Sequence, residues 1–140
     1  MTRPLPLDED QEGSILLLAL GYAVLAILLI LVCVDATSLH LANKRLEAVA
    51  DAAALAGADG FILTVEAGEP TADLTDAGVY EQAADIVGAA GSATLVAAGT
   101  PDGVSARVTV SAVWHPPIAT LFVPAGVPLE ATATSRTALR

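Results

Sequence analysis

From Ser14 to Val34 the chain runs 21 residues without a charge, almost all of them Leu, Ile, Val and Ala. A helix on a soluble surface keeps one polar face, and this stretch has none. At about 1.5 Å per residue it spans roughly 30 Å, the thickness of a bilayer's hydrocarbon core. Acids bracket it, with Asp8, Glu9, Asp10 and Glu12 before it and Asp35 after. The pattern predicts a transmembrane helix over 14–34 behind an acidic tail over 1–13. A secretory signal would begin with basic residues, carry an apolar stretch of about 7–15 and close on a small-x-small site. Here the start is acidic, the stretch is longer and Asp35-Ala36-Thr37-Ser38 follows. The segment reads as an uncleaved anchor.

The helical signal continues past Asp35. Leu39, Ala42, Leu46, Val49, Ala53 and Ala56 recur at alternating spacings of three and four, while His40, Asn43, Lys44, Glu47 and Asp51 fall off that seam. Proline is absent, and Gly57 with Asp59-Gly60 supplies a stop signal. Anchor and extension therefore form one rod from Ser14 to about Ala56, on the order of 65 Å long. The stripe Leu39, Ala42, Leu46, Val49, Ala53 is narrow and rich in small residues. It can pack on the protein's own sheet or on a neighbouring subunit. The extension is assigned to 35–57 and a small α+β domain to 58–140.

Beyond Gly60 the period changes. Phe61 to Val65 reads as a short strand or the rod's last turn, and Glu66 to Thr75, with Gly68, Pro70 and several acids, as a loop. Asp76 can cap a helix through about Ala90, with Val79, Ala83, Ile86 and Val87 on one face; Gly88 and Gly91 end it. Strands follow over Ala93–Ala98 and Val104–Trp114, joined by the hairpin signal Gly99-Thr100-Pro101-Asp102-Gly103. In the second, Val104, Ala106, Val108, Val110, Ala112 and Trp114 face one way and Ser105, Arg107, Thr109 and Ser111 the other, the alternation of a sheet wet on one side. Pro116-Pro117 stops it. The apolar segment Ile118 to Val123 precedes a last strand from Val127 to about Thr137. The sum is an α+β fold, a long N-terminal helix laid against three or four antiparallel strands.

The formal net charge is −10. No basic patch accompanies it, which argues against nucleic acid or an anionic surface as a charge-driven partner. The acids keep an Ala-rich surface soluble. With few aromatics after Asp35 (Phe61, Tyr80, Trp114 and Phe122) the core is expected to be thin. Cys33 is the only cysteine, so an internal disulfide is excluded; at the end of the apolar run it reads as a lipid-facing side chain. Arg3 before the anchor against Lys44 and Arg45 after it favours an outside N-terminus by one charge, too small a margin to fix orientation.

Three stretches resemble a known family. They are the acidic tail ending Glu12-Gly13-Ser14, the apolar helix ending Val34-Asp35, and the segment Asn43-Lys44-Arg45-Leu46-Glu47-Ala48-Val49-Ala50-Asp51-Ala52-Ala53-Ala54-Leu55-Ala56. Together they resemble the TadE/TadG-like proteins of Tad (tight adherence) pilus systems, nearest to the short TadG-like versions of Actinobacteria. The closing Val127-Pro128-Leu129-Glu130-Ala131-Thr132-Ala133-Thr134 strand is similar more loosely. The resemblance implies a pilin-like fold and a pilus-assembly role, with the N-terminus cytoplasmic and the domain outside, against the one-charge inference. Prepilin-like members are cut after a Gly preceding the apolar helix, and Gly13-Ser14 occupies that place. Such members carry Glu five residues after the cut; Leu18 stands there instead.

Nothing in the chain makes a catalytic constellation, and neither a cofactor nor a resident metal is expected. His115, beside Trp114, reads as a strand-end side chain rather than a base, and His40 lies off the helical seam. Glu66, Glu69, Asp73 and Asp76 lack the alternating oxygen ligands and turn glycine of a calcium loop. Phosphate-loop and serine-nucleophile motifs are absent. Asp35 is the polar residue to watch, as a membrane-boundary marker or as a contact at that level. Ala19 and Ala23, four apart, form a weak small-residue pair for helix association. The expectation is a non-enzymatic pilus-assembly or secretion component. Its partners would be membrane lipid and other pilin-like subunits, with self-association included and no small-molecule substrate. The alternative is a single-pass envelope protein unrelated to pili. Its outer domain would bind a ligand or partner through Trp114, His115 and Ile118 to Val123.

Overall fold

The computed structural model describes residues 12–66 and 69–136. The acidic tail with Asp8, Glu9, Asp10 and Arg3, and the chain end from Thr137 to Arg140, lie outside the described residues. A single helix, α1 (Glu12–Asp59), runs 48 residues without interruption. At 1.5 Å per residue it is about 72 Å long. It passes through the expected stop at Gly57, which is buried inside the helix, and ends one turn later where the Gly60 N–H bonds to the Gly57 carbonyl. Gly57 is retained for closeness rather than for breaking. A Cβ there would lie 3.0 Å from Val79 Cγ1 and 3.2 Å from Ala106 Cβ, so α1, a second helix and the sheet converge on it.

Two strands follow, β1 (Ile62–Glu66) and β2 (Glu69–Asp73), paired antiparallel from Ile62↔Asp73 to Glu66↔Glu69. The segment read as a loop from Glu66 to Thr75 is thus half strand. Its proline and acids depress strand propensity, and pairing with β1 overrides them. Helix α2 (Asp76–Ala90) begins one residue earlier in cap than the sequence suggests. Thr75 is the N-cap, its hydroxyl accepting from the Gly78 N–H at 3.1 Å. Asp76 turns instead to the Thr100 N–H at 2.7 Å and ties α2 to the end of the next strand.

The main sheet is β3 (Thr94–Gly99), β4 (Ser105–Trp114) and β5 (Val127–Arg136), antiparallel with β4 central. Edge strand β3 is irregular between Leu95 and Ala97. On one sheet face Ala106, Val108, Val110 and Ala133 are buried beneath α1 and α2. On the other, cross-strand polar pairs form, with Thr109 and Thr132 hydroxyls 2.9 Å apart and Arg107 Nε donating to Thr134 Oγ1 at 3.4 Å. Ser105 departs from the expected wet face. It is 6% exposed because Asp102 and Arg136 close over it.

The core is as thin as the composition implies. Leu46, Ala50, Ala53, Ala54 and Ala58 of α1 meet Val79, Ala83 and Val87 of α2 and the sheet. Its largest fully buried side chains are Val79, Val108 and Val110. Small side chains let the backbones approach closely, so the core gains contact density where it lacks apolar area.

Candidate functional site

Helix α1 changes character at Asp35. From Gly13 to Val34 every residue is exposed except Leu31, which is half-buried. Leu16 and Leu17 are each 73% exposed. Alone among the described helices, α1 is long and apolar enough to cross a membrane, and none of its most apolar stretch is buried within the protein. A core helix of a soluble domain would be covered. From Asp35 to Asp59 the same helix turns a continuous face onto the domain.

The stripe residues named from sequence lie on that face. Leu46 and Ala53 are buried, and Leu39, Ala42 and Val49 are half-buried. Leu46, Val49 and Ala53 belong to the core shared with the protein's own sheet and second helix. The buried face is wider than the 3.5-residue seam, because Ala50, Ala54, Gly57 and Ala58 are buried too. Their signal was the recurrence of Ala every four residues, Ala50, Ala54 and Ala58, one step off the seam. Gly13 and Ser14 occupy the first turn of α1 and are exposed, as are Ala19 and Ala23.

At the junction between the two halves the domain is fastened to α1. Asp35 Oδ1 accepts a hydrogen bond from the Ile118 backbone N–H at 3.2 Å. One turn on, Ser38 Oγ accepts from Trp114 Nε1 at 3.1 Å. Asp35 and Ser38 are three apart and share a helix face. The chain leaving β4 explains the first bond. Pro116 and Pro117 carry no N–H, so Ile118 is the first residue after His115 with a donor to place. A carboxylate acceptor makes that bond charge-assisted. Sequence reasoning singled out Asp35 and Trp114 separately, but no periodicity links residues 83 or 76 positions apart.

Between Pro116 and Gly126 the chain forms a tight loop around one 3₁₀ turn, Ala119–Leu121. The Thr120 hydroxyl donates to the Pro116 carbonyl, and Gly126 N–H to the Val123 carbonyl at 3.2 Å. Gly126 has φ 72, and a Cβ there would fall 2.6 Å from Val113 Cγ1 and 2.8 Å from the Trp114 carbonyl. Only glycine closes the loop without displacing strand β4. The loop leaves Leu121 91% and Phe122 86% exposed, more than any other large apolar side chain described.

Other polar groups serve the frame. Asp102 accepts from the backbone N–H of Val104 and of Ser105 and from the Ser105 hydroxyl, at 3.1, 2.7 and 2.9 Å. These bonds, the backbone one from Val104 foremost, hold its carboxyl below the usual carboxylate range, with Arg136 at 3.8 Å adding to the effect. The Lys44 ammonium donates to Glu47 at 2.6 Å, which raises its pKa. His40, Asp51 and His115 are exposed. Among the described residues no cluster of three or more His, Cys, Asp or Glu could hold a metal ion. Cys33 is exposed and unpaired.

The chain matches no curated protein and no solved structure. Residues 13–60, which take in α1 from its second residue through Gly60, match the family model Tad, "Putative Flp pilus-assembly TadE/G-like".

Proposed function

We propose that the protein is a membrane-anchored, non-enzymatic component of a Tad/Flp-type pilus-assembly or secretion apparatus, acting through helix packing and protein–protein contacts. One coincidence carries this reading. The stretch that matches the TadE/G-like family is the same helix whose first half is apolar on all sides and bare of protein. Bare apolar area of that size needs lipid or other apolar helices around it. In this reading 1–13 is a cytoplasmic tail, 14–34 spans the membrane, 35–57 extends the helix and 58–140 forms a small outer domain. Asp35 marks the outer boundary. Partners are membrane lipid, other pilus subunits and further copies of the chain, and the bond after Gly13 is the place for prepilin-type processing.

Deleting the gene in its host tests the role directly. Surface pili should be lost in electron micrographs and return with the wild-type gene, but not with a gene carrying both Leu25→Arg and Leu28→Arg, which together oppose insertion of the anchor. Unchanged piliation would overturn the assignment. Ser92 is exposed, so Ser92→Cys in a Cys33→Ser background should react with a membrane-impermeant maleimide on intact cells. Labelling only after lysis would reverse the orientation. Mass spectrometry of the mature chain decides processing, a product starting at Ser14 supporting it and an intact N-terminus removing it.

A further inference from the structure

We propose that the loop from His115 to Gly126 is a second membrane contact, with Leu121 and Phe122 seated in the headgroup–acyl boundary of the leaflet from which α1 emerges. The inference rests on the anchor reading and extends it to a part of the chain outside the family match. Strand β4 runs antiparallel to α1. Ala106 packs at Gly57, Trp114 bonds to Ser38, and Ile118 bonds to Asp35. The chain is therefore travelling toward the apolar half of α1 when it reaches Ile118. It must reverse before Val127, which pairs with Trp114. Residues 119–126 make that reversal, so they form the end of the domain nearest the apolar half.

The turn between α2 and β3 does not reach as far. Ser92 lines a groove with Ala42, Arg45 and Trp114, some ten residues of helix beyond Asp35, or roughly 10–15 Å. One turn below Asp35, Leu31 is the sole half-buried residue between Gly13 and Val34. The cover over the helix thus reaches just past the boundary residue.

The composition of the loop suits that level. From His115 to Gly126 it carries no Asp, Glu, Lys or Arg, in a chain of net charge −10. Leu121 and Phe122 are left almost wholly uncovered by the protein, and exposed apolar side chains at a bilayer surface gain by entering the interface. Pro116, Pro117 and Pro124 with the Asp35–Ile118 bond hold the loop in one shape, so little ordering is lost on contact. Lipid is the occupant the geometry favours. A loop tied to the residue where the anchor leaves the bilayer is held at the lipid surface before any subunit arrives.

Site-directed spin labelling of the full chain in phospholipid vesicles tests this. Labels go on Leu121→Cys, Phe122→Cys, Leu25→Cys and Ser92→Cys, each in a Cys33→Ser background. All four positions are exposed, so none should perturb packing. Leu121 and Phe122 labels should collide more with oxygen than with a water-soluble nickel chelate, as the Leu25 label does, and the Ser92 label should show the reverse. A lipid-like Leu25 with water-like Leu121 and Phe122 would overturn the loop contact and leave the anchor standing. Loop labels shielded from both reagents would mean that protein covers them, and would equally overturn it. A water-like Leu25 would remove the anchor itself and this proposal with it.

Discussion

The two halves of α1 share one backbone and differ in everything around it. Gly13 to Val34 carries large apolar side chains on every side and leaves them uncovered. Asp35 to Asp59 has Ala as its commonest residue and buries one face, Leu46, Ala50, Ala53, Ala54 and Ala58, in its own domain, leaving Leu41 and Leu55 exposed. Under the proposed anchor, the first half would meet a solvent that is itself apolar and has no direction. The second is built for a particular surface, and small side chains let that surface come close. A helix can therefore continue unbroken while the source of its burial changes from the surroundings to the chain itself.

Substitutions can break that contrast one half at a time. The largest effect is expected at Leu46, 4% exposed in the packed half. Leu46→Ala should lower domain stability by about 2–5 kcal/mol, read by urea unfolding of the full chain in detergent. Membrane retention should not change. Leu25→Arg combined with Leu28→Arg should do the reverse, opposing insertion by about 2.5–3.5 kcal/mol per arginine and leaving a carbonate-extractable chain with an intact domain. Gly57→Ala places a methyl 3.0 Å from Val79 Cγ1 and should destabilise by about 1–3 kcal/mol, with Gly21→Ala in the bare half as the neutral control.

Smaller effects sharpen the junction. Trp114→Phe removes the donor to Ser38 and should lower stability by about 1 kcal/mol. Asp102 gives a pH signature confined to the domain. Its pKa is held down in the folded chain, so its stabilisation is fully present above the usual carboxylate value of about 4. That stabilisation is lost as pH falls through the lower folded value. Unfolding midpoints should fall in acid, and Asp102→Asn should flatten that part of the profile. A Lys44→Ala change should barely register, because its partner Glu47 is as exposed as it is.

Much of the architecture was legible in the residue pattern. The rod, α2 and the three long strands lie within a few residues of their predicted bounds. The rod shows as an unbroken apolar run followed by a 3.5-residue seam, α2 has one apolar helical face, and β4 and β5 alternate with period 2. The β1–β2 hairpin was not legible from Glu66 onward, since Pro70 and the acids speak locally for a loop. Gly57 read as a stop because its local meaning is flexibility, whereas its actual role is set by Val79 and Ala106 arriving from elsewhere in the chain. The buried width of α1 was likewise underestimated, because two surfaces, sheet and α2, share it.

The sequence by itself determined that one helix is apolar all round for the thickness of a bilayer, and where that ends, because hydropathy is a property of consecutive side chains. Only the tertiary structure decided that Asp35 and Ser38 hold the far end of β4, and that Leu121 and Phe122 stand exposed in the loop that follows it. Those relations depend on the direction in which a strand crosses the helix, and no local preference encodes that.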